Sequence, residues 1–306
     1  MTQDIIELGR PNLAYAKLPI PPNSSCLMFL DACRDNDVAL ALQLAPDDVG
    51  VLTWGLNRAV EMDHLNLASQ LLGVGARWDM HTVYKVSKSL DKIRWLVESG
   101  FDVNTNLHGA AVMLNIIVRH NDEVSIRYLL EQGADPNLGP PPDSTHRPLS
   151  RHPPVSNSGW TLNIAVANCT LEILNLLISY GINVSHGIPL HYAAGYGIPE
   201  HSRIPILDRL VGLGLDINAV DDAIKIGEFG QGQHGTPLQY ALLWGRLEVC
   251  KWLLENGADP DKKSPWGRSA RDDFKGQSDR HGPGISRPFL ELLKDYDNSM
   301  LSQAGV

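Results

Sequence analysis

Long apolar runs and runs of basic residues are both missing from this chain of 306 residues. No stretch approaches the roughly 18 consecutive apolar residues of a membrane-spanning helix, so we expect no transmembrane segment. The formal net charge is −9. This acidic balance argues against a nucleic-acid partner, because proteins that bind a phosphate backbone need a basic stripe.

Cysteine is scarce, and its four copies, Cys26, Cys33, Cys169 and Cys250, form no C-x-x-C pair. A reactive thiol or a metal ligand is one interpretation. We favour buried, small apolar side chains in a reducing compartment, because three of the four fall inside helical patterns. The first ten residues lack the apolar core of a secretory signal. We therefore expect an intracellular, cytoplasmic protein, with the nucleus left open.

Signatures of cofactor and metal chemistry are also missing. The sequence has no H-E-x-x-H, no G-x-S-x-G and no P-loop, and no Cys/His pair has zinc spacing. Residues 230–235 spell G-x-G-x-x-G, but a dinucleotide site needs a preceding strand in a βαβ unit, which is not predicted here. We therefore predict neither a cofactor nor a metal.

What the chain does contain is a repeated five-residue phrase. Its first residue is apolar, its second is polar, its third varies, and its last two are small or apolar. Internal repetition of this kind indicates stacked supersecondary units. The copies are Leu56-Asn57-Arg58-Ala59-Val60, Leu114-Asn115-Ile116-Ile117-Val118, Leu162-Asn163-Ile164-Ala165-Val166, Leu190-His191-Tyr192-Ala193-Ala194 and Leu238-Gln239-Tyr240-Ala241-Leu242.

A second phrase follows each copy: an amphipathic run with a Leu-Leu pair that ends in Gly and often Ala-Asp. The distance from the second small residue to that Gly is 15 positions in four copies, ending at Gly75, Gly133, Gly181 and Gly257. The pattern predicts paired helices, with Gly as a left-handed C-cap and Asp-Pro or Asp-x-Asn forming a turn. One such pair cannot bury its apolar face alone, so several must stack.

These residues resemble the ankyrin repeat family. The best match is the copy over 235–259, where Gly235-Thr236-Pro237-Leu238-Gln239-Tyr240-Ala241 precedes Gly245-Arg246-Leu247-Glu248-Val249 and Leu253-Leu254-Glu255-Asn256-Gly257-Ala258-Asp259. Gln239 stands where the family usually has His, whereas His191 keeps that His. The resemblance implies that the His191 ring bonds the backbone of a turn, and that the concave face of the array binds partners.

The resulting fold prediction is all-α: a helical-hairpin solenoid of about eight repeats with degenerate ends. We expect an N-terminal extension over 1–24, a repeat array over 25–275 and a C-terminal cap and tail over 276–306. The Gly markers at 75, 100, 133, 181, 214 and 257 are unevenly spaced, whereas plain arrays repeat every 33 residues. Three insertions are therefore predicted, at about 139–158, 196–203 and 222–234.

These insertions have two interpretations that the sequence leaves equally open. They could form a wall or lid over the binding face, since insertions in repeat arrays often fall on that face. They could equally be solvated loops, since loop growth costs little free energy. The acidic pair Asp221-Asp222 lies at the start of the third insertion, where we expect solvated or capping carboxylates.

Candidate binding residues follow the small pair in each repeat, at positions that point toward the groove in the family this chain resembles. Exposed Trp and Met side chains are unusual unless they contact something, although each Trp could instead pack on a neighbouring turn. Further candidates lie at turn positions, among them Trp78, Trp160 and Trp266. The predicted binding residues are Met62, Trp78, His120, Trp160, Tyr192 and Trp244.

Two functions remain open at this stage. The first is a non-enzymatic module that presents an aromatic-lined concave surface to a protein partner. The second is a cofactor-independent enzyme of the cyclase or isomerase type, which converts an apolar small molecule by acid/base chemistry under the insertions. The candidate proton donors and acceptors for that alternative are His186, His191, His234 and Asp222.

Overall fold

The computed structural model describes residues 24–141, 153–196, 202–221, 235–274 and 283–304. The predicted all-helical class is confirmed for these residues, which contain helices and turns but no strand. Two isolated antiparallel bridges occur, Gly139 with Val155 and Lys263 with Ser269. No helix in the described part of the chain is long and apolar enough to cross a membrane.

Contacts divide the chain into two compact units. Unit 1 comprises residues 1–108 and 127–134, and unit 2 comprises residues 109–126 and 135–306. The helix Glu123–Glu131, here α8, spans the sequence boundary between them. Each unit is described separately below.

Unit 1 is built from pairs of short helices in which the first helices α1, α3 and α5 pack on one another in chain order. The second helix of each pair returns along the first, as α2 does on α1 and α4 on α3. The core holds fully buried side chains such as Phe29, Leu56 and Leu96. The helices are α1 (Ser24–Asp35), α2 (Val38–Gln43), α3 (Val49–Glu61), α4 (Leu65–Gly73), α5 (Met80–Val86) and α6 (Leu90–Glu98).

Unit 2 continues the same plan. Its first helices α7, α9, α11 and α13 pack in chain order, and the second helices α10, α12 and α14 each pack on the first helix of their own pair. A single 3-10 turn, Val118–His120, extends α7. The helices are α7 (Met113–Ile117), α9 (Trp160–Asn168), α10 (Leu171–Ser179), α11 (Pro189–Gly195), α12 (Ile204–Gly212), α13 (Pro237–Leu243), α14 (Leu247–Glu255) and α15 (Pro283–Ala304).

The six Gly markers behave as the sequence predicts. Each follows a second helix and has a positive φ between 84° and 111°, in the region that favours glycine. The turns after them are also as predicted: the Asp102 carboxylate accepts a hydrogen bond from the Asn104 amide at 2.9 Å, and Asp135 accepts from Asn137 at 2.8 Å. The Gly residues and the turns that follow them therefore determine where each hairpin ends.

The second residue of each repeated phrase, hereafter the polar position, is buried and hydrogen-bonded to the following repeat. In unit 1, Asn57 donates to the Asp79 carboxylate at 3.1 Å. In unit 2, Asn115 donates to the Leu138 carbonyl at 3.0 Å. A buried polar group is tolerated when it is hydrogen-bonded, so this position links consecutive repeats without a net desolvation penalty. Its occupants are Asn57, Asn115, Asn163, His191 and Gln239.

A second link between repeats comes from the Asn of the Asp-x-Asn turns. In unit 2, the Asn137 amide donates to the Gly181 carbonyl and the Asn218 amide to the Gly257 carbonyl, both at 3.0 Å. Since those carbonyls follow the next second helix, each turn is tied to a helix end one repeat further on.

The C-terminal helix α15 packs on α14. Phe289 and Leu293 are buried, and the Phe289 ring lies 6.4 Å from that of Phe274. Arg271 joins the helix to the last hairpin, because its guanidinium bonds Asp297 at 2.9 Å and Asp261 at 2.7 Å. The role of this helix as a cap stays a prediction.

The three predicted insertions fall largely outside the described residues. Of the first, the ends are visible, and Gly139 and Val155 exchange backbone hydrogen bonds at 2.8 and 3.1 Å. Most of the second and all but the borders of the third are not described. The insertions and the count of eight repeats therefore stay predictions.

Replacing Asn115 by Ala should lower the free energy of unfolding by about 2 kcal/mol. Its side chain accepts from the Val112 amide at 2.9 Å and donates to the Leu138 carbonyl and the Thr161 hydroxyl, so the change removes partners from buried polar groups. Urea unfolding followed by circular dichroism measures the loss. The exposed Asn66→Ala is the control, and equal stability of the two variants would contradict this role.

Candidate functional site

Three aromatic side chains lie together at the end of α11 and α13 in unit 2. We call Tyr192, Tyr196 and Trp244 the aromatic surface. The ring centroids of Tyr192 and Tyr196 are 4.8 Å apart, and those of Tyr196 and Trp244 are 5.2 Å apart. Trp244 is 45% exposed, which is high for an indole. Two of the predicted binding residues, Tyr192 and Trp244, are thus brought together, and Tyr196 joins them.

Local geometry explains why these rings meet. Tyr196 and Trp244 are the C-cap residues of their helices, two positions after the small pair in each repeat. Between them lies Gly195, where a Cβ atom would come within 2.9 Å of Trp244 and 3.2 Å of Tyr240. The missing side chain lets the indole lie against α11, so its position is fixed by the helix pair.

A buried carboxylate lies beneath the aromatic surface. Asp221 is 1% exposed and accepts hydrogen bonds from the Tyr240 hydroxyl and, at 3.0 Å, from the Gly235 amide. Burial first, and then the charge of Asp221, raises the pKa of Tyr240, so this phenol stays protonated and donates. The same two causes raise the pKa of Tyr196. Of the two expectations for Asp221, a solvated or a capping carboxylate, the solvated one was wrong.

His191 lies next to this carboxylate and is 2% exposed. Its Nε2 is 3.1 Å from the Ala219 carbonyl and 3.0 Å from the Gly235 carbonyl, which assigns the ring proton to Nε2. Burial lowers its pKa to about 4, against the smaller opposing effect of Asp221. The prediction that this ring bonds turn backbone is confirmed.

The same contacts hold the two borders of the third insertion together. The Asp221 amide donates to the Gly235 carbonyl at 3.2 Å, and the Gly235 amide donates to the Asp221 carboxylate. Gly235 has a φ of +107°, and a Cβ there would come within 2.0 Å of Gln239. It is therefore required by the repeat rather than by a nucleotide. The candidates Asp222 and His234 lie outside the described residues.

A second aromatic contact lies on the neighbouring first helices of unit 2. The Arg119 guanidinium is 5.5 Å from the centre of the Trp160 ring, within cation–π range. His120 follows Arg119 and is exposed, while Trp160 is half-buried. His120 is thus accessible, whereas Trp160 is accessible only in part and lies against Arg119.

Two predicted residues lie in unit 1. Met62 is 48% exposed at the C-cap of α3. Trp78 is only 5% exposed, and its ring lies 5.5 Å from Trp95 and 6.2 Å from Phe101 in edge-to-face contacts. Trp78 is therefore a core residue, and its prediction as an exposed contact was wrong, because the turn folds over the side of α6.

Among the described residues, the remaining His and Cys candidates are held by other contacts or buried. His186 lies in a turn, with its Nε2 3.0 Å from the Asn183 amide group. Burial raises the pKa of the Cys33 and Cys169 thiols to about 12, so both stay protonated. Over the described ranges, no three His, Cys, Asp or Glu side chains are grouped as metal ligands.

Residues 162–264 match the family model for ankyrin repeats in three copies. The chain contains ankyrin repeats. The matched range covers nearly all of the hairpins α9–α10, α11–α12 and α13–α14, and the aromatic surface lies on the first helices of the last two of them. None of the curated protein sequences matches the chain significantly.

The sequence missed Tyr196 because the irregular spacing after Ala194 assigned it to an insertion. The structure continues α11 through Gly195, and Tyr196 caps it as Trp244 caps α13. Tyr196 stands two positions after the small pair, as Trp244 does, and this shared position could have identified it as a candidate binding residue.

The buried imidazole of His191 predicts a pH dependence of stability. An unfolded His titrates near 6.5, whereas the folded ring stays neutral down to about pH 4. The unfolded chain therefore binds the extra proton between these values, so stability is unaffected above pH 6.5 and falls as the pH drops toward 4, by up to about 3 kcal/mol.

The variant His191→Gln isolates this effect, because Gln239 occupies the same position in the next repeat. Unfolding free energies of both proteins should be measured by urea titration from pH 7.5 to 4. The difference between them should be constant above pH 6.5 and should change below it in favour of the variant. Parallel curves over the whole range would contradict the buried neutral imidazole.

Proposed function

We propose that this chain is a binding protein that contacts a protein partner through the aromatic surface of unit 2. Ankyrin repeats suggest a protein-binding role. The observation that carries the finer proposal is the exposure of Trp244, which is 45% accessible although its neighbours Tyr240 and Leu242 are buried. A large exposed indole next to two tyrosines has the composition of an interface hot spot.

Rigidity supports this assignment. Tyr196 contacts Trp244 on one side, and Gly195 lets the indole approach α11 closely. Beneath them, the Tyr240 ring is held through its hydroxyl by Asp221 and lies 6.0 Å from the Tyr196 ring. Because these side chains pack against one another, we expect that a partner that covers them loses little further conformational entropy.

The proposed contact surface extends along the first helices of unit 2. His120 and the pair formed by Arg119 and Trp160 supply polar and cationic edges to an otherwise aromatic patch. Arg and Trp are enriched in interfaces, whereas Lys and Glu are depleted. In unit 1, exposed Met62 occupies the position that corresponds to Trp244, and we propose it as a further contact.

The enzymatic alternative gains no support from the described residues. His191 is buried and its Nε2 is engaged by two backbone carbonyls, so the ring is placed to hold a turn rather than to reach a substrate. A general base must come within hydrogen-bond distance of the proton it removes. An exposed, preorganised aromatic patch fits a macromolecular partner better.

The test is affinity purification with quantitative mass spectrometry, followed by a Kd measurement for each protein recovered. Replacing Trp244 by Ala should raise the Kd of a partner on this surface about 30-fold, since an aromatic anchor contributes about 2 kcal/mol. Trp160→Ala should have a smaller effect, because Trp160 is less exposed than Trp244.

Tyr180→Ala is the matched control. Tyr180 is also an exposed aromatic C-cap residue of unit 2, at 38%, but it ends the second helix α10. Its replacement should leave the Kd unchanged, and thermal melts should show that all variants remain folded. Equal Kd values for wild type and Trp244→Ala would contradict the proposed surface.

A further inference from the structure

Helices α3 and α5 of unit 1 pack on each other and carry a row of accessible side chains each. Within each row the residues are three or four positions apart, so they lie on one side of their helix. The row on α5 continues to Lys88, because the intervening Ser87 keeps helical dihedral angles. We call these residues together the basic face: Arg58, Glu61 and Met62 from α3, and His81, Tyr84, Lys85 and Lys88 from α5 and the turn after it.

An ion pair joins the two helices across the basic face. The Lys85 ammonium donates a hydrogen bond to the Glu61 carboxylate at 2.5 Å. This bond is the main cause that holds the pKa of Glu61 below its ordinary value, against the opposing effect of burial, and the charges of Lys85, Arg58 and His81 lower it further. Glu61 therefore lies among basic side chains that come from both helices.

Positive charge is in excess on this face. Glu61 is its one carboxylate, against three Lys or Arg side chains. Among the described residues, neither Arg58 nor Lys88 forms an ion pair of its own. The nearby Asp63 is already neutralised by Lys92 at 2.8 Å. This local excess contrasts with the net charge of −9 for the whole chain.

The corresponding row on α1 has the opposite balance. Asp31, Arg34 and Asp35 occupy the positions there that correspond to the row on α3. Arg34 pairs with both carboxylates at 2.8 Å, so the row is satisfied internally and has one negative charge in excess. The positive excess is therefore a local property of α3 and α5.

Each helix also adds one large apolar side chain to the basic face. Met62 is 48% exposed and Tyr84 is 46% exposed. Large apolar groups that stay accessible among charged neighbours are typical of contact sites. The face thus offers both apolar contact and positive charge to a partner.

We propose that the basic face binds an acidic segment of a protein partner, whose carboxylates pair with Arg58, Lys85 and Lys88 and whose apolar side chains cover Met62 and Tyr84. This inference rests on the proposed protein-binding role and assigns unit 1 a surface with its own partner chemistry. A nucleic acid fits less well. The carboxylate in the middle of the face would repel phosphates, and a phosphate backbone would leave the apolar side chains uncovered.

A subtractive peptide selection tests the basic face. Short random peptides displayed on phage are selected on the full chain and on a variant that carries Arg58→Glu and Lys88→Glu. Only the wild type should enrich peptides that combine Asp or Glu with apolar residues, because like charges across an interface repel. Synthetic copies of these peptides, titrated by fluorescence anisotropy, should bind the variant with a Kd raised about tenfold or more.

Arg77→Glu combined with Arg94→Glu is the matched control. Both residues are exposed in unit 1, one in the turn before α5 and one on the second helix α6, so this variant has the same net charge but an intact basic face. It should bind the peptides with the wild-type Kd. Met62→Gln combined with Tyr84→Gln should weaken binding, whereas Val74→Gln, at an exposed apolar residue on α4's C-cap, should not.

The variant Trp244→Ala separates this inference from the proposed function, since Trp244 belongs to the aromatic surface of unit 2. It should leave the Kd of the selected peptides unchanged. Loss of peptide binding in this variant would overturn the basic face and support the aromatic surface instead. A selection that yields no acidic peptides, equal Kd values for wild type and the Arg58/Lys88 variant, or tighter binding of a DNA duplex than of the peptides would also overturn it.

Discussion

A buried polar side chain at the polar position of five first helices, α3, α7, α9, α11 and α13, is the interaction on which the described structure depends. Because this side chain is buried, its polar atoms need hydrogen-bond partners, and part of them lie outside its own helix. In each case the partner belongs to the following turn or hairpin. Asn163 accepts from the Ile188 amide at 3.0 Å, and Gln239 donates to the Asp273 carboxylate at 2.9 Å. These hydrogen bonds fix the register between repeats, because shifting one repeat along the next would leave the buried polar groups without partners.

The functional surface is a consequence of this arrangement. The polar position and the small pair face the interior of the stack, so the residue two positions further on is directed outward. At that place the chain has Tyr196 and Trp244. Where the polar residue is His191, its ring also contacts the backbone at Gly235, which borders the third insertion. One set of buried contacts therefore positions both the aromatic surface and the borders of the adjoining loop.

Local features were predictable from the sequence because they depend on residues close in the chain. The Gly C-caps and the Asp-x-Asn turns follow from short patterns, and the role of His191 follows from the resemblance to ankyrin repeats. Contacts between distant residues were not predictable in the same way. Trp78 is buried because Trp95 and Phe101 lie against it. The residues of its own turn do not indicate these contacts.

The burial of the Asp221 carboxylate could likewise not be predicted from local sequence. As one of two consecutive acidic residues in a turn it has the local pattern of a solvated group. It is buried because Tyr240, 19 positions later, supplies a hydroxyl donor. Tyr196 was hidden by irregular spacing, since an apparent insertion began at its position. The missing information was in each case the identity of a packing neighbour, which sequence periodicity does not contain.

Hydrogen exchange at the Ile188 amide tests the polar position most directly. This amide precedes α11 and has the Asn163 side chain as its acceptor. If the bond between repeats stabilises the array, Asn163→Ala should speed exchange at Ile188 by about tenfold or more, corresponding to a bond worth about 1.5 kcal/mol. An unchanged exchange rate at Ile188 would contradict the account.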